Sequence, residues 1–187
     1  MKIESTAEVG SGAGIDAGVG MRHGVIVEHW YHIEVHDENG TLVWSDKFHN
    51  LVTDVGKNKY LDATLVTGST SPVWYVGLVT GPASGVTYAA ADTMGSHSGW
   101  TESTVYSNSV RPTWTPGSVS AGSVDNTASK AVFTINGTAT LAGAFMVDNS
   151  TKGGSTGTLL GEGNFSVGDC PVVSGYTVSV SVTASQS

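Results

Sequence analysis

The stretch that decides the fold class is Val25-Ile26-Val27-Glu28-His29-Trp30-Tyr31-His32-Ile33-Glu34-Val35-His36. β-Branched and aromatic residues dominate it, and such side chains suit a pleated, half-buried surface better than a helix. Read with the period of two of a β-strand, Val25, Val27, His29, Tyr31, Ile33 and Val35 share one face, and Glu28, His32, Glu34 and His36 share the other with Ile26 and Trp30. The first face is expected to pack inward. The run ends in Asp37-Glu38-Asn39-Gly40, where Asn-Gly supplies the positive φ angles of a tight hairpin turn, so Thr41-Leu42-Val43-Trp44 is the returning strand.

Outward from this hairpin the chain changes period once. Thr53 to Leu65 is the helical window: Thr53 or Asp54 can cap its start, Leu61 and Leu65 are spaced i, i+4, and Gly68 and Pro72 lie beyond its end. One short helix is therefore expected to pack on a β body. Extended segments follow at Val73 to Val79, Thr104 to Tyr106, Thr113 and Trp114, Ser118 to Val124, Ala131 to Ile135, Thr138 to Met146, Thr158 to Phe165 and Tyr176 to Thr183, with a loop from Gly81 to Gly99. Asn136-Gly137 is a second hairpin signal, joining the strand that ends at Ile135 to the one that begins at Thr138. Close-spaced strands with turns between them predict a mainly β fold. The expectation is an antiparallel β-sandwich, jelly-roll-like or immunoglobulin-like, with one short helix and an extended N-terminal arm. Residues 25–187 form its single domain.

The arm is a reading of composition. Within residues 1–24, the stretch from Glu4 to Gly24 alternates Gly, Ala and Ser with few large apolar side chains, through Gly10-Ser11-Gly12-Ala13-Gly14 and Gly18-Val19-Gly20. Ordering such a stretch costs backbone entropy and buries little in return, so it is expected to be mobile alone and to order against a partner. Over all 187 residues only 13% are charged, against roughly a quarter in soluble domains. Ten acids and five bases lie in residues 1–62, and six acids and three bases in residues 63–187. A net charge of −8 offers no field to neutralise phosphates or anionic lipid, which argues against direct nucleic-acid or membrane binding. The lone Cys170 excludes a disulfide framework within the chain. No apolar run of signal-peptide length follows Met1, so the expected product is soluble and made in the cytoplasm.

Candidate chemistry is thin. His29, His32 and His36 would form a metal cluster on a helix, but on a strand His29 and His32 point apart, and four residues separate His32 from His36 by about 13 Å. Gly95-Ser96-His97-Ser98-Gly99 resembles a nucleophile elbow with His where the nucleophile belongs, and reads as a loop. Cys170 follows Asp169, whose charge is expected to raise the thiol pKa. Glu28, Glu34, Asp37 and Glu38 fit solvated strand and turn positions better than a carboxylate pair across a cleft. Neither Gly10-x-Gly12-x-Gly14 nor Gly161-Glu162-Gly163 is followed by a capped helix or a Lys-Ser/Thr pair, so neither makes a phosphate cradle. The expectation is a non-enzyme with no metal or cofactor. Trp30, Trp44, Trp74, Trp100 and Trp114 are read as core or interface anchors. Trp100, in a Gly/Ser loop, and Arg22 and His23, at the end of the arm, are the residues expected to contact a partner.

The phrases Asp37-Glu38-Asn39-Gly40-Thr41-Leu42-Val43-Trp44, Phe48-His49-Asn50-Leu51-Val52-Thr53, Gly56-Lys57-Asn58-Lys59-Tyr60-Leu61-Asp62 and Trp74-Tyr75-Val76-Gly77-Leu78 occur in that order. With Gly99-Trp100-Thr101-Glu102 and Arg111-Pro112, this series resembles a set of small virion-associated proteins of tailed bacteriophages, over most of residues 25–183. The resemblance implies a structural, non-enzymatic protein of the particle, a cement or decoration protein on the capsid surface that binds the major capsid protein; symmetric shell sites would then lead one to expect a homodimer or trimer. It carries over no catalytic or binding residue. The alternative is a tail-associated adaptor or fibre-tip protein that binds a tail partner or a host glycan.

Overall fold

The computed structural model describes residues 27–186. The arm expected over residues 1–24, with Arg22 and His23, lies outside the described residues.

Strand β1 (Val27–His36) buries His29, Tyr31, Ile33 and Val35 and turns its even-numbered residues outward, the alternation expected of it. Asp37 closes the hairpin, its Oδ1 accepting from the backbone N–H groups of Asn39 and Thr41, and Gly40 takes a φ of +79° that a side chain would resist. The return strand β2 (Leu42–His49) runs further than its apolar start suggests, and β3 (Leu51–Val52) follows directly. The helix α1 spans Asp54–Leu65, and the Thr53 side chain accepts from Gly56 N–H at its N-terminus. Next come β4 (Tyr75–Thr80), β5 (Glu102–Ser103), β6 (Ser123–Asp125), β7 (Ala131–Thr134), β8 (Ala139–Val147), β9 (Leu159–Asn164), β10 (Cys170–Val172) and β11 (Thr177–Gln186).

These strands form two antiparallel sheets, packed as a sandwich. The five-stranded sheet has the order β2-β1-β11-β6, with β7 beside β6 on the same edge of β11. The six-stranded sheet runs β3-β9-β8-β4-β5, with β10 also on β8. First and last strands pair along their whole length, from Val27 opposite Gln186 to His36 opposite Thr177. The strict alternation of β11 places Val178, Val180 and Val182 in the core between the sheets. That core also holds Tyr31, Phe48, Val76, Phe133, Met146 and Phe165.

A second core lies on the outer face of the six-stranded sheet. There Val79, Met94, Trp100, Ala142, Phe145, Val147 and Leu159 pack together beneath the loop of residues 81–100. This double coverage explains why β8 is apolar on both faces, with every residue from Leu141 to Val147 buried.

Two expectations are corrected. Asn136-Gly137 is not a hairpin, because β7 pairs with β11 in one sheet and β8 joins the other. Neither residue takes a positive φ, so the turn geometry that would align the two strands is absent and the segment crosses between sheets. In α1, Leu61 and Leu65 do not face the body; they are 57% and 74% exposed. The helix docks instead through Gly56, whose missing side chain admits the Leu160 carbonyl, and through Tyr60.

Candidate functional site

An apolar groove opens at the end of the sandwich where β1 begins. Two connected hollows of about 250 and 270 Å³ share Tyr60, Val119, Val124 and Ala184 in their walls. Helix α1 supplies Tyr60, and its position is set by Thr53, whose hydroxyl accepts from Gly56 N–H and donates to the Leu159 carbonyl. Trp74, just before β4, and Trp114 form the second wall. Their backbones are joined by the Trp114 N–H to the Trp74 carbonyl, 2.8 Å, and the indole of Trp114 donates to the Val182 carbonyl at 3.2 Å. The floor reaches Met146, Leu160 and Val182, in the interior.

His29 is the polar group at the base of the groove. Its Nδ1 stands 3.0 Å from the amide nitrogen of Asn50 and its Nε2 2.5 Å from the Tyr60 hydroxyl. With an amide donor at Nδ1, the neutral ring accepts there and donates Nε2–H to Tyr60. Burial pushes its pKa down to about 4, and burial pushes the Tyr60 phenol up to about 12. Both are neutral at neutral pH. None of the described residues lining either hollow is Asp, Glu, Lys or Arg. An uncharged, aromatic-walled groove with satisfied polar groups offers area and shape, and is suited to burying an apolar side chain or peptide segment.

Several aliphatic side chains are exposed in the groove wall or on the segment that supplies it. Leu65 and Val119 are each 74% exposed, and Leu61, Val66 and Val73 are more than half exposed. Leu61, Leu65, Val66 and Val73 lie in the segment that also places Tyr60, Ser71 and Trp74 in the walls.

Other candidates named from the sequence fall elsewhere. Trp100, expected to face a partner, is corrected: it is 5% exposed, stacked on the His97 ring at 3.8 Å and packed 4.8 Å from Phe145. The small residues around it let the loop fold back on the sheet, so its indole plugs the outer core. His29 is buried, whereas His32 and His36 lie on the opposite, outer face, and no group of three or more potential metal ligands occurs among the described residues. Glu34 on that outer face pairs with Lys130 at 2.5 Å, an interaction that holds its carboxyl below the usual range. Cys170 is buried and its thiol is pushed up to about 12, by burial and not by the neighbouring Asp169.

Two features escaped sequence reading. Arg111 is fully buried and forks onto Glu102 with bonds of 2.9 and 2.7 Å, tying β5 to the loop after it. Glu162, in the middle of β9, is fully buried with neither carboxyl oxygen hydrogen-bonded. Glu162 sits between two glycines in an otherwise charge-poor half of the chain, which is the one signal that could have marked it.

Among the described residues no helix is long and apolar enough to cross a membrane. Comparison with protein-family models and with curated proteins finds no match.

Proposed function

We propose that this chain is a structural protein of a tailed-phage particle, a cement or decoration protein that binds the major capsid protein on the capsid surface and stabilises the head shell. The observation that carries the reading is the groove, an uncharged hollow walled by Tyr60, Trp74, Trp114 and Val119, together with the exposed Leu61, Leu65, Val66 and Val73 of the segment that supplies Tyr60 and Trp74. A largely apolar hollow open at the surface offers a partner a place to bury side chains. Covering it costs little, because no ion must be stripped of water. Packing among many equivalent neighbours, with a homodimer or trimer as the repeating unit, is the setting in which such a surface is permanently covered. A small-residue segment at residues 1–24 would add a second point of attachment and raise the effective concentration of the first.

The test uses purified protein and undecorated heads. Leu65→Glu with Val66→Glu should leave the circular dichroism spectrum unchanged and lower the head-bound fraction by about tenfold or more, the effect of losing a little over 1 kcal/mol. Undiminished binding by this variant would remove the C-terminal end of α1 from the interface. Label found only at the tail would favour the adaptor or fibre-tip role.

A further inference from the structure

The first described residue of the chain stands in the groove. Val27, which opens β1, is half-buried and lines the first hollow together with Tyr60, Val119, Val124, Ala184 and Gln186. Its ladder partner is Gln186, the last residue of β11, and on the other side β1 has already lost β2 at Trp30 opposite His49. One peptide bond therefore joins Ile26, outside the described residues, to the wall of the hollow.

The sequence before Val27 keeps the period of β1. The inward residues of that strand carry odd numbers, His29, Tyr31, Ile33 and Val35. Counting back, the odd positions hold Val25, His23, Met21 and Val19, and the even ones Ile26, Gly24, Arg22 and Gly20. An extended backbone would gather Val25, Met21 and Val19 on the face that β1 turns inward and leave Arg22 on the other. The hollow suits that face: no Asp, Glu, Lys or Arg lines it among the described residues, and Val119 in its wall is 74% exposed. Apolar side chains seated there gain burial without stripping water from an ion.

We propose that residues 21–26 of this same chain occupy the first hollow, with Val25 and Met21 packed against Val119 and Val124. Length permits it, because six extended residues reach about 20 Å, ample to cross a hollow of about 250 Å³. Gly24 lets the backbone bend to follow the wall. A second copy carries the same residues, but the chain's own segment starts at the wall with no linker, at an effective concentration that a free copy does not reach. The neighbouring hollow, walled by Trp74 and Trp114, is left to the capsid protein. The seating belongs to the free protein and does not rest on the capsid reading.

Cysteine pairs in the full-length protein test the seating, with no head present. Met21→Cys, His23→Cys and Val25→Cys are each combined with Val119→Cys and treated with oxidised glutathione. Cys170 is common to all the variants and is buried, with its thiol pushed up to about 12, so it reacts poorly. A disulfide needs Cα atoms within about 7 Å. At least one pair should therefore close within a single chain, at monomer mass, about tenfold faster or more than the same upstream cysteine paired with Asn39→Cys beyond the far end of β1. A second variant needs no cysteine: Met21→Asp with Val25→Asp should quicken amide exchange at residues 119–124 about tenfold while β1 and β11 hold steady. Closure no faster than with Asn39→Cys for all three pairs, closure only between chains, or unchanged exchange at residues 119–124 would each overturn the proposal.

Discussion

Replacing Arg111 by Ala removes the one guanidinium that holds three loops together, and the cost can be worked from its contacts. Nε and Nη2 bind the two Glu102 oxygens at 2.9 and 2.7 Å, Nη1 binds the Asn149 carbonyl at 2.9 Å, and Nη2 also binds the Gly154 carbonyl at 2.8 Å. Arg111 is fully buried and the Glu102 side chain is 7% exposed. Truncation therefore leaves a buried carboxylate with only Gly153 N–H, 2.9 Å away, and two carbonyls without donors. Breaking a buried pair from one side costs about 3–5 kcal/mol. For a chain of this size each kcal/mol moves the melting temperature by about 2–4 °C, so Arg111→Ala should melt about 10 °C lower. Arg111→Met with Glu102→Leu removes both charges and fills the space, and should recover most of the loss. Urea unfolding followed by far-ultraviolet circular dichroism measures all three. A single variant within about 1 kcal/mol of wild type, or a double variant as unstable as the single, would refute the reasoning.

Gly77→Val drives a side chain into the Phe145 ring, which a Cβ would meet at 2.1 Å, and should destabilise by about 1–3 kcal/mol while loosening Trp100, seen as a red shift in its fluorescence. His29, held near a pKa of about 4, contributes stability that is present above its ordinary value near 6.5 and is lost as pH falls toward 4. At pH 4 to 4.5 wild type should have given up most of about 3 kcal/mol that His29→Gln does not lose. Because Glu162 changes in the opposite sense over part of that range, the difference between the two proteins is the quantity to read. Ala184→Trp fills the groove from β11 and should preserve the fold while lowering head binding about tenfold, measured by co-sedimentation.

The first strand was legible because its inward residues alternate with charged ones; β11 was legible for the same reason, with Ser and Thr in place of charge. Helix α1 announced itself through Thr53, but its packing face did not, since the leucines that suggest it are exposed and the glycine that enables it carries no hydrophobic signal. The Asn136-Gly137 turn failed because the dipeptide permits positive φ without requiring it, and the pairing of β7 with β11 decided otherwise. The groove was unreadable because its walls come from residues distant in sequence, Tyr60, Trp74, Trp114 and Ala184. Trp100 misled for a related reason: a loop rich in small residues reads as exposed, yet small residues let a loop lie flat on a sheet. The low charge of residues 63–187 now has two physical meanings, a sheet covered on both faces and a surface cheap to desolvate.

Copy number in purified particles tests the central claim most directly. Quantitative mass spectrometry of virions should find this chain at copies on the order of hundreds, in fixed proportion to the major capsid protein, as symmetric shell sites demand. A dozen copies or fewer per particle, or none, would contradict a cement or decoration role.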